Sequence, residues 1–225
     1  MVGLEFDRLE DGYTDKIRRW VPFYDELLQS LFTDLPADFR PKSILDLGTG
    51  NGNVTFLATQ LFPEADYILV DASAKMISHC AQRFGDSDQF IYKQRYLQEL
   101  SFLPASFDLI VAGLSLHHLQ AGEKQELFKK LWRWLRPAGV FASTDLYVDR
   151  SQEEEHAAVL KEWERIAREQ GSDTDDWEYL MEHYDKYDYP HSFEDQLQWL
   201  RDAQFADQRI VWVRGAWGTI QAIRQ

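Results

Sequence analysis

Ten residues constrain this chain more than any others: Ile44-Leu45-Asp46-Leu47-Gly48-Thr49-Gly50-Asn51-Gly52-Asn53. An apolar run of strand length passes into three glycines at alternate positions. An apolar pattern of helical period comes next, through Val54, Phe56, Leu57 and Leu61. Glycine lets the backbone bend sharply and lets a ligand come where a Cβ would stand. The N–H groups of such a turn and of the helix start attract negative groups, such as an amino-acid carboxylate. A strand, a glycine turn and a helix in this order make the first βα turn of an open α/β sheet, where ligands bind outside the carboxyl ends of the strands. Asn53 stands where the third glycine of G-x-G-x-x-G would be, so the dinucleotide spacing is not reproduced.

The alternation of strand and helix then repeats. An apolar strand Tyr67–Val70 closes on Asp71, about 20 residues past the glycine turn, where such folds bond a pair of ribose hydroxyls. Ser73 is placed to cap a helix carrying Met76, Ile77, Cys80 and Phe84 on one side. Further strands are expected at Phe90–Lys93, Phe107–Ala112 and Val140–Tyr147, with a helix over Glu123–Arg136 that Pro137 and Gly139 stop. Before the first strand, residues 5–35 are amphipathic and helical in pattern, with Pro22 suited to a helix start. After the fifth strand, residues 149–191 form an acidic segment with two helical patterns. One is introduced by a Ser151-x-x-Glu154 capping box and the other by Asp173. A helix Phe193–Ala203 leads to strands Arg209–Val213 and Ala216–Ile223, and the short Arg214-Gly215 link makes these an antiparallel hairpin.

The expected fold is therefore α/β: a doubly wound, mostly parallel seven-stranded sheet with a C-terminal antiparallel hairpin. Its 225 residues suit one domain. The parts are a helical cap (1–40), a ligand-binding core (41–148), a helical insertion over the carboxyl ends of the strands (149–191) and the final helix with its hairpin (192–225).

The net charge of −14, without a basic run, works against nucleic acid as a partner. One cysteine, Cys80, excludes an intrachain disulfide framework and reads as a small core residue. No segment has the pattern of a signal peptide or the length of a membrane span, so a cytoplasmic protein is expected. The histidines show no i, i+4 pair with an intervening base and no cysteine partners, so no metal is expected.

The landmarks Asp46 to Gly52, Asp71, Ser106–Val111, Leu116-His117-His118-Leu119 and Leu135-Arg136-Pro137-x-Gly139 resemble, in that order, the class I S-adenosylmethionine (SAM)-dependent methyltransferases over residues 40–147. The resemblance implies SAM as cofactor and a small-molecule methyl acceptor as partner, and leaves a homodimer open. Gly48, Thr49, Gly50 and Gly52 would wrap the methionine moiety, with Asp46 near its ammonium. Asp71 and Ala72 would meet the ribose and adenosine edge; Met76, at the start of its helix, could pack against an adenine ring or be plain core. Tyr24 would close over the cofactor, and Leu114 would offer its carbonyl to the methionine amine. Tyr96, followed by Leu97, occupies the position where the family usually carries an acidic residue beside the adenine amino group.

A finer similarity, from Val21-Pro22-x-Tyr24 and from Gln196 to Ala222, is to the carboxy-SAM synthases. Those enzymes grip the extra carboxylate with an arginine where this chain has Trp199, and Arg201 lies two residues away on another face. That departure favours ordinary SAM. A non-catalytic SAM-binding protein is the reading from a different class.

For catalysis, His117 is the best-placed residue with His118, although paired histidines recur at this point of the family pattern and suit packing or capping. Asp145 and Tyr147 near the end of the fifth strand could touch substrate or support the sheet. His183, Tyr187, Tyr189 and His191 could line an acceptor pocket or merely cover it. Trp20, Trp212 and Trp217 are core or lid residues, and a tryptophan-rich lid suits a flat or cationic acceptor.

Overall fold

A computed structural model describes residues 13–225. Its strands are β1 (Ser43–Leu47), β2 (Asp66–Asp71), β3 (Phe90–Gln94), β4 (Phe107–Gly113), β5 (Leu135–Leu146), β6 (Asp207–Arg214) and β7 (Trp217–Ile223). They form one seven-stranded sheet in the order β3-β2-β1-β4-β5-β7-β6. The first five run parallel, and β7 enters antiparallel between β5 and β6. The expected fold is the observed one.

Central β1 reads as a nearly unbroken apolar run because both of its faces are covered. Leu45 pairs with Ile68 on one side and Ile110 on the other, and Ile44, Leu45 and Leu47 are all buried. Successive side chains of β5 divide between two cores. Val140, Ala142 and Leu146 face one core, with α2 (Tyr24–Ser30) and α3 (Asn53–Leu61). Phe141 and Tyr147 face the other, with α5 (Ala121–Trp134) and α8 (Phe193–Asp202).

The remaining helices are α1 (Tyr13–Trp20), α4 (Ala74–Phe84), α6 (Glu153–Glu169) and α7 (Thr174–Tyr187). The insertion packs on the N-terminal helix: the Trp163 indole donates to the Trp20 carbonyl at 2.6 Å, and the Trp20 and Tyr179 rings lie 5.6 Å apart.

Several boundaries differ from expectation. The N-terminal pattern is two helices, because Phe23 adopts a left-handed φ of 57° directly after Pro22 and breaks the run. Residues 5–12 of that expected helix lie outside the described residues. Helix α5 begins at Ala121, where Glu123 reaches back to accept the Gln120 N–H. Strand β5 starts at Leu135 and carries Pro137 and Gly139 within it, inside the register irregularity that separates the pairs Phe107–Leu135 and Leu109–Val140. Ser73 and Asp173 do cap their helices, accepting from Met76 N and Asp176 N. Ser151 does not cap: its N–H is taken by Asp149, and α6 starts after Gln152.

Candidate active site

The strand order reverses between β1 and β4, and the glycine turn sits at that switch point. Gly48, Gly50 and Gly52 all have positive φ, at 69°, 55° and 82°. A Cβ on Gly48 would stand 2.4 Å from Ser115 Cβ, and one on Gly52 would stand 2.5 Å from the Phe84 ring. Around Gly50 no atom lies within 4 Å of the same point, so its backbone faces open space.

Asp71 ties this turn to the next one. Its Oδ2 accepts the Gly50 N–H and its Oδ1 the Ser73 N–H, both at 2.8 Å. Burial raises its pKa, against the pull of these two donors.

A crevice opens beside the turn. Its walls come from Gly48, Thr49 and Gly50, from Asp71, Ala72 and Met76 after β2, from Tyr96 and Leu97, from Leu114 after β4 and from Tyr24 of α2. Separate segments thus bring ten of the expected site residues to one cavity, and protein side chains do not fill it. Tyr24 is held by Asn53, whose amide donates to the phenol oxygen at 2.9 Å. Leu114 has a φ of 54°, an unusual conformation for a branched side chain and one that gathers at ligand sites.

Two expected residues do not reach the wall. Asp46 lies under the turn, because the hydroxyls of Thr49 and Thr55 donate to its Oδ2 at 2.8 and 2.6 Å. Its Oδ1 has no partner, and burial lifts its pKa to about 6 against those two hydroxyls. Gly52 caps α3 and gives room to Phe84 and Cys80. Sequence reasoning missed Arg95, Asn51, Asn53 and Ser115, which also line the crevice. Asn51 and Asn53 belong to the opening stretch and were within reach of it.

A second cavity adjoins the first and shares Ile17, Leu114 and His118 with it. Its body is aromatic: Trp20, Trp163, Trp217, Tyr179 and Tyr184. Its polar end is His117, His118, His183 and Asp188. Asp145 fixes His117 twice, accepting its backbone N–H at 3.0 Å and meeting Nδ1 at 2.5 Å. Burial opposes the imidazolium, but Asp145 and then Asp188 outweigh it and raise the pKa of His117 to about 9.

Tyr147 corrects a sequence expectation. It points to the opposite face of β5, stacks on Phe193 at 4.0 Å and touches neither cavity. Of the insertion residues, His183 lines the aromatic cavity, whereas Tyr187, Tyr189 and His191 do not. Tyr189 instead donates its N–H to the His117 carbonyl, and His191 meets buried Lys124 at 2.8 Å. Metal ligands, too, were invisible as a sequence motif. The fold nevertheless gathers His117, His118 and Asp188 with one possible ligand atom each, all within 4.8 Å of one another.

The family model described as a methyltransferase domain matches residues 44–139, the span from β1 into β5. Trans-aconitate 2-methyltransferase of Deinococcus radiodurans is 33% identical over 115 residues, covering 51% of this chain and 40% of that protein. Carboxy-S-adenosyl-L-methionine synthase of Desulfotalea psychrophila is 22% identical over 152 residues, 65% of this chain and 61% of that protein. The chain thus spans less than two thirds of the length of these relatives. Among solved structures, a SAM-dependent methyltransferase of Thermotoga maritima superposes with a TM-score of 0.66 at 16% identity, covering all of both chains, and shows the shared fold. The matched domain, these relatives and the shared fold together support a class I methyltransferase with S-adenosylmethionine as cofactor.

Proposed function

We propose that the crevice beside the glycine turn holds SAM and that the adjoining aromatic cavity holds a small-molecule methyl acceptor. The observation that carries this reading is the junction of the two cavities at Leu114 and His118. In the crevice, Gly48, Thr49 and Gly50 would take the methionine part of the cofactor and the Leu114 carbonyl its amine. Asp71 and Ala72 would take the ribose edge, with Met76, Tyr96 and Leu97 around the adenine. Asp46 supports the turn from beneath. Helices α1 and α2 of the N-terminal segment (1–40) and the insertion (149–191) would complete the acceptor side of a core spanning 41–148, with 192–225 closing the sheet.

SAM carries a sulfonium, and this group makes its methyl carbon electrophilic. An acceptor lone pair attacks that carbon, the carbon–sulfur bond breaks, and sulfur keeps the electron pair as a thioether. The chain's own contribution is alignment of the two molecules across the junction. The aromatic cavity suits a flat or cationic acceptor, since tryptophan and tyrosine faces attract positive charge. The acidic surface disfavours nucleic acid. Among the described residues no helix is long and apolar enough to cross a membrane.

Ordinary SAM is favoured over carboxy-SAM. Trp199 packs on His191 at 4.8 Å, while Arg201 bonds Gln198 on the exposed side of α8, and neither reaches the crevice. Calorimetry with SAM, followed by assay of S-adenosylhomocysteine release over a panel of amines, phenols and carboxylic acids, tests the proposal. Turnover with one acceptor class is expected. Binding without turnover would point to a non-catalytic SAM-binding protein, and formation of carboxy-SAM from SAM and prephenate to the synthase reading. No SAM binding would end the proposal.

A further inference from the structure

At the polar end of the aromatic cavity three imidazoles surround one carboxylate oxygen. From Asp188 Oδ1 the distances are 3.0 Å to His118 Nδ1, 3.6 Å to His183 Nε2 and 3.8 Å to His117 Nε2. Asp188 is 7% exposed, and His118 Nδ1 stands at hydrogen-bond distance from this oxygen. A buried carboxylate must be matched by positive charge, which protonated imidazoles or a bound cation can supply. Tetrahedral zinc, with bonds of about 2.0–2.2 Å, sets its ligand atoms about 3.3–3.6 Å apart. The spacings around Asp188 Oδ1 bracket that value.

We infer that the junction of the two cavities is a divalent metal site, with His117 Nε2, His118 Nδ1 and Asp188 Oδ1 as its protein ligands. Two imidazoles and one carboxylate favour a cation of the zinc class over magnesium or calcium, which prefer oxygen. The shell behind the ligands is also built. Asp145 holds the other nitrogen of His117 at 2.5 Å and orients the ring, the carboxylate–histidine arrangement that supports metal-bound imidazoles. Asp145 is in turn fixed by the His117 N–H and by the Leu146 N–H at 2.9 Å. His183 stands beside the set, on the wall of the cavity. Three protein ligands leave a coordination position for an exchangeable group, as open zinc sites do. An acceptor in the aromatic cavity could supply that group through oxygen, nitrogen or sulfur.

The test reads the metal alone, so it stands apart from SAM binding and turnover. Full-length protein, freed of any affinity tag and dialysed against chelator, is titrated with cobalt(II) chloride while visible absorption is followed. Zinc content after loading is measured by plasma mass spectrometry. One equivalent of metal and the intense visible bands of low-coordinate cobalt are expected. His118→Gln and Asp188→Asn should abolish both, and Asp145→Asn should weaken affinity roughly 10–100-fold as a positioning residue. Circular dichroism identifies a variant that fails to fold. His118→Gln, which keeps size and polarity, is the second variant if Asp188→Asn does so. Binding of less than half an equivalent to the wild type, or stoichiometric binding unchanged in folded His118→Gln protein, overturns the inference.

Discussion

At the scale of single residues, Asp71 joins two neighbouring turns with one carboxylate. Its two oxygens accept the N–H groups of Gly50 and Ser73, one from each turn. Removing the carboxylate leaves both donors without their partner, at a cost of about 1–3 kcal/mol for a buried group. On the proposed function it also removes the ribose contact. Asp71→Ala is therefore expected to lower both the melting temperature and SAM affinity. Asp71→Asn, which keeps one acceptor oxygen, should lower SAM affinity with a smaller loss of stability; calorimetry and thermal melts separate the two effects.

Asp46 makes a different prediction. Burial raises its pKa in the folded chain to about 6, above the ordinary 3.8. The folded state therefore holds that proton more tightly than the unfolded state does. Its favourable contribution is complete below about pH 3.8 and is lost as pH rises through about 6, roughly 3 kcal/mol in all. Asp46→Asn should remove this dependence and be more stable relative to wild type at pH 8 than at pH 4, read from chemical denaturation at both. These two residues also show what was legible. Asp71 was readable because strand length and glycine spacing place it. The burial of Asp46 was not, because it depends on Thr55, one turn into the next helix, bonding back to it.

At the scale of elements, the strands were legible and the helix ends less so. A strand covered on both faces is written as an apolar run, as in β1, β2 and β4. Helix ends depend on which of several polar side chains reaches a free N–H, and neighbouring candidates compete. In the sequence 149–154, Asp149 takes the Ser151 N–H, so Ser151 lies in a turn ahead of the helix while Glu154 falls in its first turn. At α7 the Oδ1 of Asp173 accepts from Asp176 N at 2.9 Å and caps the helix. Ser151→Ala should thus change stability by less than about 0.5 kcal/mol. Asp173→Ala should cost about 1 kcal/mol, the usual worth of a helix cap. Paired denaturation curves check both, and an equal loss in the two variants would contradict this assignment of caps.

At the scale of the whole molecule, the aromatic cavity belongs to no single segment. Trp20 comes from α1, Trp163 from α6, Tyr179 from α7 and Trp217 from β7. Their meeting was hidden in the sequence because each tryptophan alone reads as an ordinary core residue. Only the return of the insertion onto the N-terminal helix gives them a common space. Trp163 makes that connection: its indole donates to the Trp20 carbonyl, and its ring meets Trp217 edge-on at 5.1 Å. It lines the aromatic cavity and not the crevice beside the glycine turn. On the proposed function the two sites should therefore separate on substitution. Trp163→Phe keeps an aromatic ring but loses the N–H, leaving the buried Trp20 carbonyl without this donor at about 1–3 kcal/mol. SAM affinity by calorimetry should stay within about twofold of wild type, because no wall of the crevice changes. The KM for the acceptor should rise about tenfold, the effect of 1.4 kcal/mol of lost binding. A matched loss of SAM and acceptor affinity would mean that the cavities do not act as separate sites, and that the insertion supports the whole sheet edge instead.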